Sequence, residues 1–213
     1  MVNLQKVTLG NSGEKAQINL TKSSLKGLIE INLNWSQPKT NGFLKSVISL
    51  FQGSKNLDLD LGALIELKNG ELFVVQPLGS SFGNLDQKPY VFHSGDDRTG
   101  DSQSGEFIRI KVEEWQKIQR VCIYAYIYEG APDWATAQGV VTVKVPNQPN
   151  LEVLMGKKRN KGQLCAITMF ENINGGISVQ NLNTFHDGSV TGTWHGDLDR
   201  FYKWGINWTE GSK

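Results

Sequence analysis

Carboxylates gather in two segments of this sequence, and their spacing suits a hard divalent cation. In Asn56-Leu57-Asp58-Leu59-Asp60-Leu61 the leucines alternate with polar residues. An extended chain therefore turns Leu57, Leu59 and Leu61 one way and Asn56, Asp58 and Asp60 the other. Same-face neighbours on a strand lie about 6.5–7 Å apart, so Asp58 and Asp60 share one surface with no Lys or Arg between them, and they repel unless neutralised. The second segment, Gly95-Asp96-Asp97-Arg98-Thr99-Gly100-Asp101-Ser102-Gln103-Ser104-Gly105-Glu106, sets Asp96, Asp97, Thr99, Asp101 and Glu106 among glycines that let carbonyls turn inward. Ca²⁺ takes about six to eight oxygens, which such a loop can supply; Mg²⁺ keeps its waters, and zinc or copper would ask for His or thiolate ligands. The spacing is not that of an EF-hand. Solvated acidic surface is the other reading, and spacing alone leaves the choice open.

Other chemical arrangements are weaker. His195, Asp197 and Asp199 stand at alternate positions in His195-Gly196-Asp197-Leu198-Asp199, which on one strand face could hold a metal for hydrolysis, or could simply form a turn into the aromatic C-terminal stretch. The basic run Lys157-Lys158-Arg159-Asn160-Lys161-Gly162 reads as a solvated turn, because no Walker-type glycine pattern accompanies it. There is no Gly-x-Ser-x-Gly elbow and no cysteine with a plausible histidine base, so nothing positive argues for an enzyme.

These residues need a frame, and composition suggests which. The 213 residues carry 22 Lys and Arg against 21 Asp and Glu, a net charge of +1, too little to recruit nucleic acid or an anionic membrane by its overall field. With 23 glycines and 6 prolines, tight turns should be frequent. Ile29-Ile31-Leu33-Trp35, Ile108-Ile110-Val112 and Val141-Val143-Val145 alternate with period two, while Val121 to Tyr128 reads as a central strand. Asn69-Gly70 predicts a type I′ hairpin and Asn174-Gly175-Gly176 a second hairpin. The expected fold is all-β: a two-sheet antiparallel β-sandwich with a few short helical turns, such as 113–118 and 132–137, in one continuous domain over 1–213. An amphipathic stretch over 43–51 reads as a short helix capping one end, or as an exposed docking segment. Trp194, Phe201, Tyr202, Trp204 and Trp208 should pack across an end of the sandwich. Cys122 and Cys165 lie in apolar runs and read as buried, reduced thiols. The N-terminus lacks a signal-peptide pattern and no segment is apolar enough to span a bilayer, so a cytoplasmic protein is expected.

Taken together, Leu33-Asn34-Trp35, Leu57-Asp58-Leu59-Asp60-Leu61-Gly62-Ala63-Leu64, and His93-Ser94-Gly95-Asp96-Asp97-Arg98-Thr99-Gly100 followed by Glu106 resemble the TerD-domain family of tellurium-resistance and stress-response proteins. Tyr126-Ile127-Tyr128-Glu129-Gly130-Ala131-Pro132-Asp133-Trp134 and Trp204-Gly205-Ile206-Asn207-Trp208 resemble its TerA branch. The resemblance implies a sandwich that binds Ca²⁺ through loops at one end. It also implies a non-enzymatic cytoplasmic role beside other stress and tellurium-resistance proteins, at the inner membrane surface and without nucleic acid. The family's Asp-x-Asp motif falls on Asp58 and Asp60, its Gly-Asp-x-x-Thr-Gly motif on Gly95, Asp96, Thr99 and Gly100, and its closing glutamate on Glu106. Ser104 and Gly105 stand where the family has acidic residues, with Asp101 the nearest substitute, so one calcium site is expected and two are the upper bound. The alternatives carried forward are a small-ligand module of the cyclic-nucleotide type, which would need an apolar cleft near a basic group, and the hydrolase built on His195, Asp197 and Asp199.

Overall fold

A computed structural model describes residues 6–18, 20, 26–34, 58–95, 106–129, 133–137, 139–155 and 162–209. The strands are β1 (Val7–Leu9), β2 (Lys15–Ile18), β3 (Leu28–Asn34), β4 (Asp58–Leu67), β5 (Leu72–Val75), β6 (Gly83–Asn84), β7 (Val91–His93), β8 (Glu106–Lys111), β9 (Ile118–Glu129), β10 (Val140–Lys144), β11 (Leu151–Leu154), β12 (Leu164–Ile173) and β13 (Gly176–His186). Helices α1 (Trp134–Ala137) and α2 (Trp194–Tyr202) and 3-10 turns at Leu78–Ser80 and Val112–Lys117 complete the described elements. Strands β1-β11-β10-β3-β8-β7-β6 form a seven-stranded sheet and β2-β13-β12-β9-β4-β5 a six-stranded one. Pairing is antiparallel throughout the described ladders except for β1 with β11, which run parallel and make the first sheet mixed.

Period-two alternation builds the space between the sheets. Ile29, Ile31, Leu33, Ile108, Ile110, Val141 and Val143 face Leu59, Leu61, Ala63, Ile65, Val121, Ile123 and Ala125 in one buried cluster. The six-stranded sheet is also covered on its outer face, where Leu64, Cys122, Tyr124, Tyr126 and Met169 meet Leu182, Leu198 and Trp204. This double burial explains why residues 61–65 of β4 and 121–127 of β9 read as continuous apolar runs. A bulge in β12 between Ala166 and Thr168 resets its alternation, so Cys165 and Ile167 point inward, Met169 outward and Phe170 inward again. Cys122 and Cys165 are both buried free thiols on opposite faces of that sheet. Burial pushes the Cys122 thiol up to about 12 and raises Cys165 as well.

Two sequence expectations change form. At Asn69-Gly70 only the glycine takes positive φ (86°), and Gly70 N donates to Leu67 O at 2.9 Å. The loop is therefore a type I turn followed by a left-handed glycine, and not type I′. Type I′ torsions occur instead at Asn174 and Gly175, with φ of 52° and 86°. The aromatic C-terminal stretch lies over the outer face of the six-stranded sheet and not across an end. The 43–51 segment and the basic run 157–161 lie outside the described residues.

Gly62 ties this second layer to β4. It opposes Tyr124 in the ladder, and a Cβ at Gly62 would clash with the Tyr124 ring, which crosses the β4 backbone to donate its hydroxyl to Gln76 Oε1 at 2.6 Å. Gly62→Ala should therefore destabilise the fold by about 1–3 kcal/mol, the range for overpacking, and lower the thermal midpoint by several degrees in calorimetry. An unchanged midpoint would mean that Tyr124 moves aside freely.

Candidate metal centre

The site begins at an edge. Strand β5 stops at Val75 opposite Ala63 and does not run beside Asp58–Gly62. At Leu61 a side chain from the other sheet takes the place of a strand neighbour: Glu106, the first residue of β8, accepts the Leu61 N–H on Oε2 at 2.8 Å. A fully buried carboxylate is strongly disfavoured unless it is hydrogen-bonded, and the charge-assisted bond to Leu61 meets that need at Oε2. Alternation fixes the rest. Glu106 shares the inward face of β8 with Ile108 and Ile110, whereas Asp60 lies on the outer face of β4 with Leu64, directly opposite Tyr126. The acidic groups thus straddle the β4 edge. Burial first, and then the charges of Asp60 and Glu106, push the Tyr126 phenol well above its ordinary value.

His93 holds the same end together. It is fully buried at the close of β7; its Nδ1 accepts the Gly95 N–H at 3.0 Å, which assigns the ring proton to Nε2, and Nε2 lies 3.6 Å from Glu106 Oε2. Ser94 N donates to Phe107 O at 2.9 Å and Phe107 N to Ser94 Oγ at 3.1 Å, so the chain leaves β7 and enters β8 through a closed pair. Asn32 on β3 donates to the Glu106 carbonyl at 3.2 Å. Gly95 and Glu106 are the two ends of the acidic segment.

Of the residues expected to ligate, Asp58, Asp60 and Glu106 are brought to one end of the sandwich and are buried. Asp96, Asp97, Thr99 and Asp101 lie outside the described residues. Among the described residues no group of three or more His, Cys, Asp or Glu is arranged to hold a metal ion. The carboxylates placed at this end offer hard oxygens, donors that fit Ca²⁺ better than a soft metal. Sequence reasoning missed two contributors. His93 was visible only as the residue opening the motif His93 to Gly100, and Tyr126 only within an apolar strand and at the start of the TerA-like run, neither with a role at the metal end.

The trio His195, Asp197 and Asp199 does not form a site. These residues lie on helix α2, not on a strand, and a helix turns alternate residues about 200° apart. Asp197 accepts Thr191 N at 2.7 Å and Thr191 Oγ1 at 2.8 Å, bracing the loop before the helix. Asp199 accepts Gly205 N, Ile206 N and Trp208 Nε1, each at 2.8 Å, and so staples the C-terminal stretch to α2. His195 is enclosed by Tyr124, Tyr126, Trp194 and Trp208, with ring centroids 5.1–6.3 Å away, and burial lowers its pKa to about 4.

Comparison with known proteins agrees with this frame. No family model matches the chain. A tellurium resistance protein TerA from Alcaligenes sp is 43% identical over 212 residues, covering 100% of this chain and 60% of that protein, so the chain spans about three fifths of its relative. The crystal structure of a homologue of telluride resistance protein (TerD) from Streptomyces coelicolor A3(2) superposes with a TM-score of 0.50 at 15% identity, covering 76% of this chain and 91% of that one. A crystal structure of a protein of unknown function superposes with a TM-score of 0.51 at 14% identity, covering 75% and 92%. At those identities the superpositions establish the shared fold alone. Along its whole length the chain is thus similar to a tellurium resistance protein TerA, on a two-sheet frame shared with a TerD homologue.

Proposed function

We propose that this chain is a non-enzymatic calcium-binding module in which Ca²⁺ orders one end of the sandwich as a surface for other stress or tellurium-resistance proteins. The observation that carries the reading is the 2.8 Å bond from Leu61 N–H to Glu106 Oε2, which joins the strand of Asp58 and Asp60 to the last residue of the acidic segment. Asp58, Asp60 and Glu106 would hold the ion together with carboxylates and carbonyls of the sequence between Gly95 and Glu106. When bound, Ca²⁺ supplies positive charge that offsets the mutual repulsion of those groups. His93 and Leu61 fix where Glu106 sits, and Ser94 with Phe107 fixes where the acidic segment leaves and returns. The name of the TerA relative supports a role in tellurium resistance. Among the described residues no helix is long and apolar enough to cross a membrane.

Ligand binding to the folded state alone stabilises it by about 2.7 kcal/mol at about 100 times Kd. For a chain of this size that corresponds to a rise of about 5–10 °C in thermal midpoint, reversed by EDTA. Asp60→Asn should remove most of the shift, because it keeps the shape and deletes the charge. A melting curve in calorimetry that ignores both Ca²⁺ and EDTA would refute the reading.

His93→Ala should weaken Ca²⁺ binding by about 10- to 100-fold, the usual effect of losing a group that orients a ligand. His93→Gln, which can still accept the Gly95 N–H, should recover part of that affinity. Titration calorimetry of the three proteins decides, and equal affinities would show that His93 only fills space.

A further inference from the structure

A second site lies on the outer face of the six-stranded sheet, lined by residues other than the expected calcium ligands. It is a cleft of about 490 Å³ whose lining includes Gln76, Gln163, Asp187, Trp194, His195 and Trp208. The walls are two half-buried indoles held from behind. Trp194 stacks on Tyr126 with centroids 6.3 Å apart and planes 22° from parallel, and Trp208 is fixed by its Nε1 bond to Asp199 and leans on His195 at 5.1 Å. Rings already immobilised in this way lose little freedom when a ligand settles on them.

The polar groups are few and of mixed sense. Asp187 is exposed, and its Oδ1 accepts the Ser189 N–H at 3.0 Å. Gln76 gives its Oε1 to the Tyr124 hydroxyl, which orients the amide and leaves its NH₂ as the donor end; Gln163 brings a second amide. His195 is only 9% exposed, its Nε2 has no hydrogen-bond partner, and its lowered pKa keeps it uncharged at neutral pH. Among the described lining residues there is no Lys or Arg, and Asp187 is the single formal charge.

We propose that this cleft binds an uncharged ring bearing several hydroxyls, a saccharide, stacked on Trp194 and Trp208 and hydrogen-bonded by Asp187 and the two glutamines. Each hydroxyl both donates and accepts, so it can donate to the Asp187 carboxylate and accept from an amide NH₂, while the ring's C–H face covers an indole. Other ligand classes match less of the lining. An anion would meet the charge of Asp187. An ammonium group would use the carboxylate and the indoles but leave the amide donors facing a group that accepts nothing. The described lining therefore lacks the basic partner that a cyclic nucleotide would need. None of Asp58, Asp60 and Glu106 is among its lining residues, so its test is run without calcium.

The test is titration calorimetry of the whole chain in EDTA with glucose, galactose, N-acetylglucosamine and maltose, and with tetramethylammonium chloride and cyclic AMP as the competing chemistries. At least one saccharide is expected to bind in the millimolar range or tighter. Asp187→Asn and Gln163→Ala, both at exposed positions and so compatible with folding, should each weaken it about tenfold or more without moving the thermal midpoint. Trp208→Ala should abolish it. Failure of every saccharide to bind would overturn the proposal. So would saccharide binding untouched by Asp187→Asn and Gln163→Ala, or binding of the ammonium or the nucleotide in place of the sugars.

Discussion

One hydrogen bond organises the candidate metal end: a buried carboxylate from one sheet accepting a backbone N–H from the edge of the other. Sheets in a sandwich ordinarily meet only through apolar side chains, which fix their spacing but not the placement of any single polar group. The Glu106–Leu61 bond is directional, and both of its partners are buried. The expected ligands depend on it. Asp58 and Asp60 are placed by β4, Glu106 by β8, and the acidic segment between Gly95 and Glu106 is anchored at the same end by His93, Ser94 and Phe107.

The six-stranded sheet carries a second organising feature, burial on both faces. Its inner face serves the core between the sheets, and its outer face, under α2 and the C-terminal stretch, is an aromatic layer built on Tyr124 and Tyr126. Tyr126 belongs to both regions of interest. It lies opposite Asp60 in the β4–β9 ladder and edge-on to His195, with centroids 5.5 Å apart. The carboxylate end and the Trp194–Trp208 cleft are therefore adjacent faces of one packed layer, not remote features joined by a long path.

Much of this frame was legible in the sequence because strand periodicity is a local signal. Ile29, Ile31 and Leu33, or Ile108 and Ile110, announce their buried face within a few residues, and the hairpins at Asn69-Gly70 and Asn174-Gly175 follow from backbone freedom at glycine and asparagine. What was lost was tertiary. His195-Gly196-Asp197-Leu198-Asp199 alternates like a strand, yet it forms a helix capped by Thr193 Oγ1, and the carboxylates of Asp197 and Asp199 turn to backbone amides brought near only by folding. The turn type at Asn69-Gly70 depended on whether Asn69 joined the glycine at positive φ, which the dipeptide alone does not decide. The clustering of Asp58, Asp60 and Glu106 at one end was suggested by the family motif. The means, an amide at Leu61 and an imidazole at His93, has no signature in composition or spacing.

The central claim is that carboxylates carried by different sheets act as one ion site joined through Leu61. Isotope-labelled protein titrated with Ca²⁺ and followed by amide resonances tests it most directly. The signals of Asp58, Asp60, Leu61, Gly95 and Glu106 are expected to move together along one binding curve, while the Asn174-Gly175 turn at the opposite end stays still. Amides at these positions that do not respond, or that titrate on unrelated curves, would contradict it.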